Sequence, residues 1–184
     1  MSTRKAMTPL NLNDMAAVEK GLWTAIEERP VGMLCLTGSP YRNTLPMTAF
    51  AEPESGLLWF FTRSDSLLAK TVQTVTQAAF IIMSKNQDLQ ASIVGDLVVS
   101  QDPLHREKYW NSVLAAWFPK GKTDPGTTLL CLTCDLAEVW FSETGALKFG
   151  WEIAKARLTG QAPDMGGHVS LNLRNERFPA PTGA

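Results

Sequence analysis

Short apolar runs alternate with turn residues along most of the chain, and this pattern predicts a mainly β protein. Seven runs have the length and the β-branched or aromatic composition of strands. They cover residues 31–37, 44–51, 57–62, 78–83, 89–100, 128–134 and 138–142. Most are joined by short turns rich in Gly, Pro, Asn and Asp, which is typical of a small closed or split antiparallel barrel. Strands do not alternate strictly with helices, which disfavours a doubly wound parallel sheet.

Four other segments carry apolar residues at helical spacing or a helix start signal. They are residues 15–28, about 65–76, 102 to about 116, and a segment near 150–158. Asn13 or Asp14 can cap the first helix and Ser64 the second. Asp102 followed by Pro103 is a strong start signal for the third. The predicted fold class is therefore α+β, mainly β with helices.

The last predicted strand ends at residue 142, and this sets the limit of the predicted barrel domain. A length of 184 residues favours one domain. We assign residues 1–145 to a single barrel domain. Residues 146–184 hold the predicted C-terminal helix and, from Thr159 onward, a loose tail rich in Gly, Pro and polar residues that packs on the same domain.

Composition excludes several classes of partner. The net charge is −1 and basic residues do not cluster, so neither a nucleic-acid nor a membrane-surface role is expected. No apolar run approaches the length of a membrane span, and the N-terminus has no apolar signal-peptide core. The three cysteines are an odd number, which favours a reduced, cytoplasmic protein.

The stretch LLWFFTRSDSLLAK, residues 57–70, combines a buried strand, a hydroxyl-rich turn and a helix start. Such a turn leaves backbone N–H groups unpaired and suits an anion, most often a phosphate. Thr62 and Ser66 add hydroxyl donors, and Arg63 and Lys70 add positive charge. Lys70 follows Ser66 by four residues, so the two share a helix face. The same residues also fit a strand followed by an ordinary capped helix with solvated charges.

Histidine and cysteine give little support to metal or hydrolase chemistry. Cys131 and Cys134 form a CxxC pair, but residues three apart on a strand point to opposite faces, which favours core packing over zinc or redox use. His105 and His168 lie in no pattern resembling a triad or a metal site. A lone histidine on a helix, such as His105, is expected to be solvated. The chain contains neither GxGxxG after a strand nor a P-loop.

Two aromatic residues occupy an unusual place. Trp117 and Phe118 precede the turn-rich sequence PKGKTDPG. Bulky apolar groups in such a loop are expected to cover a partner surface or a planar ligand.

Three segments together resemble the pyridoxamine 5'-phosphate oxidase-like FMN-binding split barrels, and the bacterial general stress protein branch in particular. They are WFFTRSDS, ASIVGDLVVSQD and YWNSVLAAWFPKGKTDPGTTLLCLTCDLAEVW. The order and spacing match over about residues 15–145, and AWFPKGKTDP is the most specific part. The resemblance implies a homodimeric split β-barrel with FMN at the subunit interface.

The resemblance also implies a set of cofactor-binding residues. Phe61 and Thr62 would border the ribityl–phosphate part of FMN, and Ser66 and Lys70 would hold the phosphate. The residues expected to line the flavin or approach its ring edge are Met47, Thr48, Gln90 and Ser92. The residues expected from the other subunit are Trp110, Trp117 and Phe118.

The sequence departs from the family pattern at the phosphate. Leu45 stands where family members often carry Arg, and Leu67-Leu68 stand where the vitamin B6 oxidases carry Arg-Lys. Arg42 or Arg63 would have to substitute. The C-terminal Arg and His pattern of those oxidases is also not recognisable, so vitamin B6 oxidase activity is not expected.

Three functions remain open at this stage. The first is an FMN-dependent oxidoreductase that accepts electrons from a donor such as NAD(P)H, with the cofactor supplying the redox chemistry. The second is a non-catalytic flavin-binding protein for storage, sensing or stress response. The third is a split barrel for haem or a deazaflavin, although the scarcity of histidine disfavours haem.

Overall fold

The structure, a computed structural model, describes residues 14–37, 44–72, 74–142 and 167–174. The helices in these ranges are α1 (Met15–Glu28), α2 (Leu67–Thr71), α3 (Pro103–Tyr109) and α4 (Ser112–Trp117). The strands are β1 (Val31–Leu36), β2 (Thr44–Thr48), β3 (Phe50–Glu52), β4 (Leu57–Arg63), β5 (Thr76–Met83), β6 (Leu89–Ser100), β7 (Thr127–Phe141) and β8 (His168–Asn172). No helix in the described ranges is long and apolar enough to cross a membrane.

One bent strand brings the two ends of the antiparallel sheet together. The strands follow the order β2-β1-β5-β6-β7-β4-β3, and β8 pairs with β7. The sequence predicted a single strand over residues 44–51, but Ala49 leaves the ladder and donates its N–H to the Pro30 carbonyl at 2.8 Å. The halves on either side therefore pair differently, β2 with β1 and β3 with β4. This curls the sheet into the split antiparallel barrel that the sequence predicted.

The inner face of the barrel holds the main core. Alternate residues of each strand point inward, as the period of a strand requires, and α1 covers the core with Val18, Leu22 and Ile26. Fully buried strand residues of this cluster include Leu34, Leu58, Phe60, Phe80, Ile93 and Leu130. The predicted α1 range is confirmed, and Asp14 caps it by accepting from the Ala17 N–H at 3.1 Å.

A bulge in β7 replaces the predicted break between two strands. Val94 lies opposite Leu136 and Gly95 opposite Cys134, which leaves Asp135 without a partner on β6. The extra residue allows both Cys134 and Ala137 to face the core. A Cβ on Gly95 would lie 1.9 Å from the Thr133 carbonyl oxygen, so this position admits only glycine.

Helices α3 and α4, which we call the α3–α4 arm, cover one part of the outer face. The predicted single helix is interrupted because Asn111 caps α4, accepting from the Val113 and Leu114 N–H groups at 3.0 Å each. Leu114 is the buried residue of α4. Beneath the arm lies a second apolar cluster that includes Trp59, Phe61, Val98, Leu129 and Cys131.

The rest of the outer face is uncovered, and we call it the open face. Its apolar side chains are between 38% and 54% exposed. They are Val31, Met33, Ile81, Met83, Leu136 and Trp140. Two rows of directly opposed residues run across it: Pro46–Met33–Ile81–Ser92–Glu138–Ser170, and Met83–Gln90–Trp140–His168.

Two further predictions need correction. Ser66, rather than Ser64, caps α2, and the helix ends before the predicted limit because β5 begins at Thr76. Residues 168–172 form a strand rather than a loose tail, because alternate apolar residues Val169 and Leu171 are buried against the core. The helix predicted near 150–158 lies outside the described residues.

Candidate functional site

Two hydroxyls meet where β4 leads into α2. The Thr62 hydroxyl donates to Ser66 Oγ at 3.2 Å, and Ser66 Oγ accepts from the Ala69 N–H at 3.1 Å. Thr62 is buried, at 8% exposure. Lys70 lies one helical turn after Ser66, on the same face. The helix has only five residues, so hydroxyls and one lysine, more than a helix dipole, suit this turn for an anion.

The other groups near this turn contribute less than the sequence suggested. The Arg63 guanidinium forms a two-point ion pair with Asp65, at 2.9 and 2.7 Å. This pairing lowers the pKa of Asp65. Leu67 is exposed, whereas Leu68 is buried in the main core. Leu45 packs against the same core opposite Leu34. Arg42 lies outside the described residues.

Met47 and Thr48 are neighbours on β2 and face opposite ways. Met47 is buried in the main core, whereas Thr48 is exposed on the outer face. β2 is paired with β1, and β4 with β3 and β7, so these residues and Phe61 and Thr62 do not share a ladder. The two strands are nevertheless in contact across the break at Ala49.

The aromatic residues of the arm form a continuous surface with Phe61. The Phe61 and Trp110 ring centroids are 5.9 Å apart, and those of Trp110 and Phe118 are 6.2 Å apart. Trp117 is 77% exposed at the end of α4. These contacts lie within one chain, while Trp117 has a side chain available to a second molecule.

Gln90 and Ser92 lie on the open face, away from the arm. Three strand spacings separate Ser92 from Pro46, a distance of about 14 Å. The side chains between them are Met33 and Ile81. A flat ligand lying across this surface would therefore rest on apolar groups and meet a hydroxyl at the Ser92 end.

A polar group next to Gln90 and Ser92 was missed by sequence reasoning. Glu138 opposes Ser92, and its carboxylate accepts from the Ser170 hydroxyl at 2.9 Å and contacts the His168 ring. The His168 ring stacks on Trp140 at 5.1 Å. The alternation of polar and apolar residues in HVSLN was the available signal, but its flanking Gly and Pro residues indicated a tail. An imidazole and a carboxylate at this position can carry a proton.

A second polar network lies between the arm and the β3–β4 hairpin. Glu52 accepts from the Tyr109 hydroxyl at 2.7 Å and from Trp59 Nε1 at 3.3 Å, and it pairs with Lys108. His105 Nε2 lies 3.4 Å from Glu52. Burial raises the pKa of Glu52, but the Lys108, Tyr109 and Trp59 hydrogen bonds outweigh it, so the net pKa is lowered.

The position of His105 corrects the prediction of a solvated histidine. Its Nδ1 lies 2.5 Å from Asp102, and its ring stacks on Trp59 with centroids 4.1 Å apart. Its side chain is 27% exposed.

Burial and the Glu52 hydrogen bond raise the pKa of Tyr109.

The cysteines behave as the strand period predicts. Cys131 lies in the cluster beneath the arm and Cys134 in the main core. Burial raises the pKa of Cys131 to about 12 and also raises that of Cys134, so neither thiol is reactive. The described ranges contain no group of His, Cys, Asp and Glu that could hold a metal ion.

The fold, with its exposed apolar face, hydroxyl-rich turn and aromatic arm, is a split barrel of the pyridoxamine 5'-phosphate oxidase-like class. Residues 17–164 match the sequence profile described as pyridoxamine 5'-phosphate oxidase like. The chain belongs to this family.

Several solved structures are similar to this chain. A candidate general stress protein 26 from Jannaschia sp. CCS1 is 33% identical, with 85% of this chain and 99% of that chain covered and a TM-score of 0.69. The general stress FMN/FAD binding protein from Xanthomonas citri is 36% identical, with 71% and 92% covered and a TM-score of 0.65. A pyridoxamine 5'-phosphate oxidase-related FMN binding protein from Nostoc punctiforme is 14% identical, with 92% and 100% covered and a TM-score of 0.52, and supports the fold alone. None of the proteins with curated descriptions matches this sequence.

Proposed function

We propose that this protein is an FMN-binding oxidoreductase of the general stress protein type, acting as a cytoplasmic homodimer. The observation that carries the proposal is the Thr62–Ser66 hydroxyl pair at the start of α2, with Lys70 on the same helix face. The flavin binding of the Xanthomonas citri relative supports the choice of ligand. The free cysteines support a reducing compartment.

The β4–α2 turn would hold the phosphate. Ser66 Oγ and the Thr62 hydroxyl form a polar pair at its mouth, and Lys70 adds a cation on the same face. Phosphate oxygens are strong acceptors, and a charged donor roughly doubles the strength of such hydrogen bonds. The Arg63 guanidinium is directed to Asp65, and Lys70 would add a positive charge to the phosphate site from the α2 face that also carries Ser66.

The open face would hold the flavin ring. Thr48 lies on the edge strand β2, while Gln90 and Ser92 present amide and hydroxyl groups on β6. The apolar surface between them can pack against a planar ring system. FMN would supply the redox chemistry, and this chain would orient the ring and exclude water.

The same face would form the subunit interface. Six apolar side chains, each at least 38% exposed, lie on this face, four of them on the adjacent strands β1 and β5 and two on β7, and an exposed apolar patch marks a binding site in a soluble protein. A second copy covering the face would also bring an exposed Trp117 towards the flavin, as the resemblance implies. Met47 would support the flavin ring through the backbone of β2, because its side chain lies in the core.

The pair of Glu138 and His168 favours an oxidoreductase over a storage protein. Both lie beside Gln90 and Ser92 on the open face, where a group that moves a proton would be useful to a flavin that accepts or gives up electrons.

The proposal is tested by an absorption spectrum of the purified protein, before and after dialysis against FMN. We expect a bound-flavin spectrum with one FMN per subunit on titration, and a dimer in sedimentation. Reduction of the bound flavin by NADH or NADPH would support the oxidoreductase function. If the protein contains no flavin as purified and none after dialysis against FMN, FMN binding is refuted.

A further inference from the structure

The α3–α4 arm packs on the second apolar cluster mainly through side chains that are themselves only partly buried, namely Tyr109, Trp110 and Phe118. No residue of α3 is buried, and Leu114 is the buried residue of α4. Helices in proteins usually dock by burying an apolar stripe. Polar contacts add to this apolar packing in fixing the position of the arm.

Those contacts converge on Glu52 of β3. Its side chain is 11% exposed, and four groups surround its carboxylate. Three come from α3: the Tyr109 hydroxyl at 2.7 Å, the Lys108 ammonium and His105 Nε2 at 3.4 Å. The fourth is the indole N–H of Trp59 on β4, at 3.3 Å. One carboxylate thus joins the arm to both strands of the hairpin.

Stacked rings surround this carboxylate. The His105 ring lies on Trp59, and the Tyr109 ring lies on Phe50 with centroids 5.0 Å apart. Further along α3, the Arg106 guanidinium donates to the Lys122 and Thr127 carbonyls at 3.2 and 3.1 Å. These contacts fix the direction of α3, and Asn111 then starts α4 at once.

We propose that Glu52 is the positioning residue of the α3–α4 arm, and that it thereby places Trp117 and Phe118 for flavin binding. The second half rests on the proposed function, whereas the first half rests on the contacts alone. Leu114 is the one fully buried residue of α4, and α4 follows α3 directly, so its orientation depends in part on α3. Loss of the Glu52 charge weakens the contacts of three α3 side chains at once.

Hydrogen exchange and flavin titration together test this inference. Glu52→Gln keeps the size of the side chain and removes its charge. Tyr109→Phe keeps the ring on Phe50 and removes one donor. Glu27→Gln makes the same charge change on the exposed face of α1 and serves as the control.

We expect both test variants to exchange about tenfold faster over residues 103–117, with residues 76–100 unchanged. We expect Glu52→Gln to raise the Kd for FMN about tenfold, and Glu27→Gln to behave as the unaltered protein.

Other outcomes overturn separate parts of the inference. Unchanged exchange over 103–117 in both variants, or faster exchange throughout the barrel, would show that Glu52 does not position the arm. A loosened arm with an unchanged Kd would refute its role in flavin binding. If the unaltered protein binds no FMN, the proposed function fails, while the exchange data still decide whether Glu52 holds the arm.

Discussion

Several residues of the site combine a structural task with a binding task. Ser66 Oγ accepts two hydrogen bonds, one from the Ala69 N–H as the cap of α2 and one from the Thr62 hydroxyl. Replacing Ser66 would therefore cost cap energy, about 1 kcal/mol, in addition to any phosphate contact. Lys70 is not the cap residue, so replacing it leaves the Ser66 cap in place. Local turn chemistry predicts Ser66 and Lys70 as phosphate ligands, and this stays a prediction, whereas the same reasoning wrongly assigned the cap of α2 to Ser64.

Lys70→Ala is expected to weaken FMN binding by about 1.5–3 kcal/mol, the range of a charge-assisted hydrogen bond. The folded structure should be retained, since the side chain is on the surface. Fluorescence titration with FMN measures the effect. Lys20→Ala on the exposed surface of α1 is the control, and equal affinities for the two variants would refute the phosphate assignment.

Gly95→Ala is expected to destabilise the fold by at least about 3 kcal/mol, because the new Cβ would overlap the Thr133 carbonyl oxygen and shift backbone in the bulge. Urea unfolding measures the change. Gly121→Ala is the comparison: nothing lies within 4 Å of its Cβ, so only its positive φ opposes the substitution. A loss no greater for Gly95 than for Gly121 would contradict the close approach.

Whole elements were predictable where apolar periodicity was strong and uncertain where single residues set the boundaries. Strand β6 has the predicted bounds, and α1 has the predicted range. The arm was predicted as one helix because Tyr109, Trp110 and Val113 continue the helix that starts at Asp102 and Pro103, but a side-chain cap at Asn111 starts a new helix. The Glu52 network joins residues far apart in sequence, so no local sequence pattern predicted it.

Acid is expected to weaken the attachment of the arm. The pKa of Glu52 is lowered in the folded state, so its contribution to stability is present above the unfolded pKa, about 4.3, and is lost as pH falls through the folded value. Urea unfolding of the unaltered protein and of Glu52→Gln should differ at about pH 6 and converge below about pH 4. A difference that is independent of pH would indicate that the charge is not involved.

At the scale of the whole molecule, the barrel has two outer regions with different coverings. The arm buries one of them, and the open face leaves Met33, Ile81 and Trp140 exposed. The sequence could predict the alternation that makes such a face, but it could not show which of the two faces of each strand remained uncovered. It also missed β8, which adds His168 to that face.

Ile81→Lys is expected to dissociate the proposed dimer, because it places a charge at the centre of the open face beside Met33 and Ser92. Analytical ultracentrifugation at several protein concentrations measures the state of assembly. Val75→Lys, at a residue that is 58% exposed and outside the two rows, is the matched control. A dimer that survives Ile81→Lys unchanged would place the interface elsewhere.

The pairing of β4 with β7, which lie far apart in the chain, has a consequence for the order of folding. β1 and β2 are neighbours in the chain, but β4 pairs with β7, with Leu57 opposite Thr133. Contacts between such distant segments form slowly, since a long loop must be closed first. During synthesis, β4 and β6 therefore remain unpaired edges until β7 has left the ribosome, and that interval is when this chain is most exposed to aggregation.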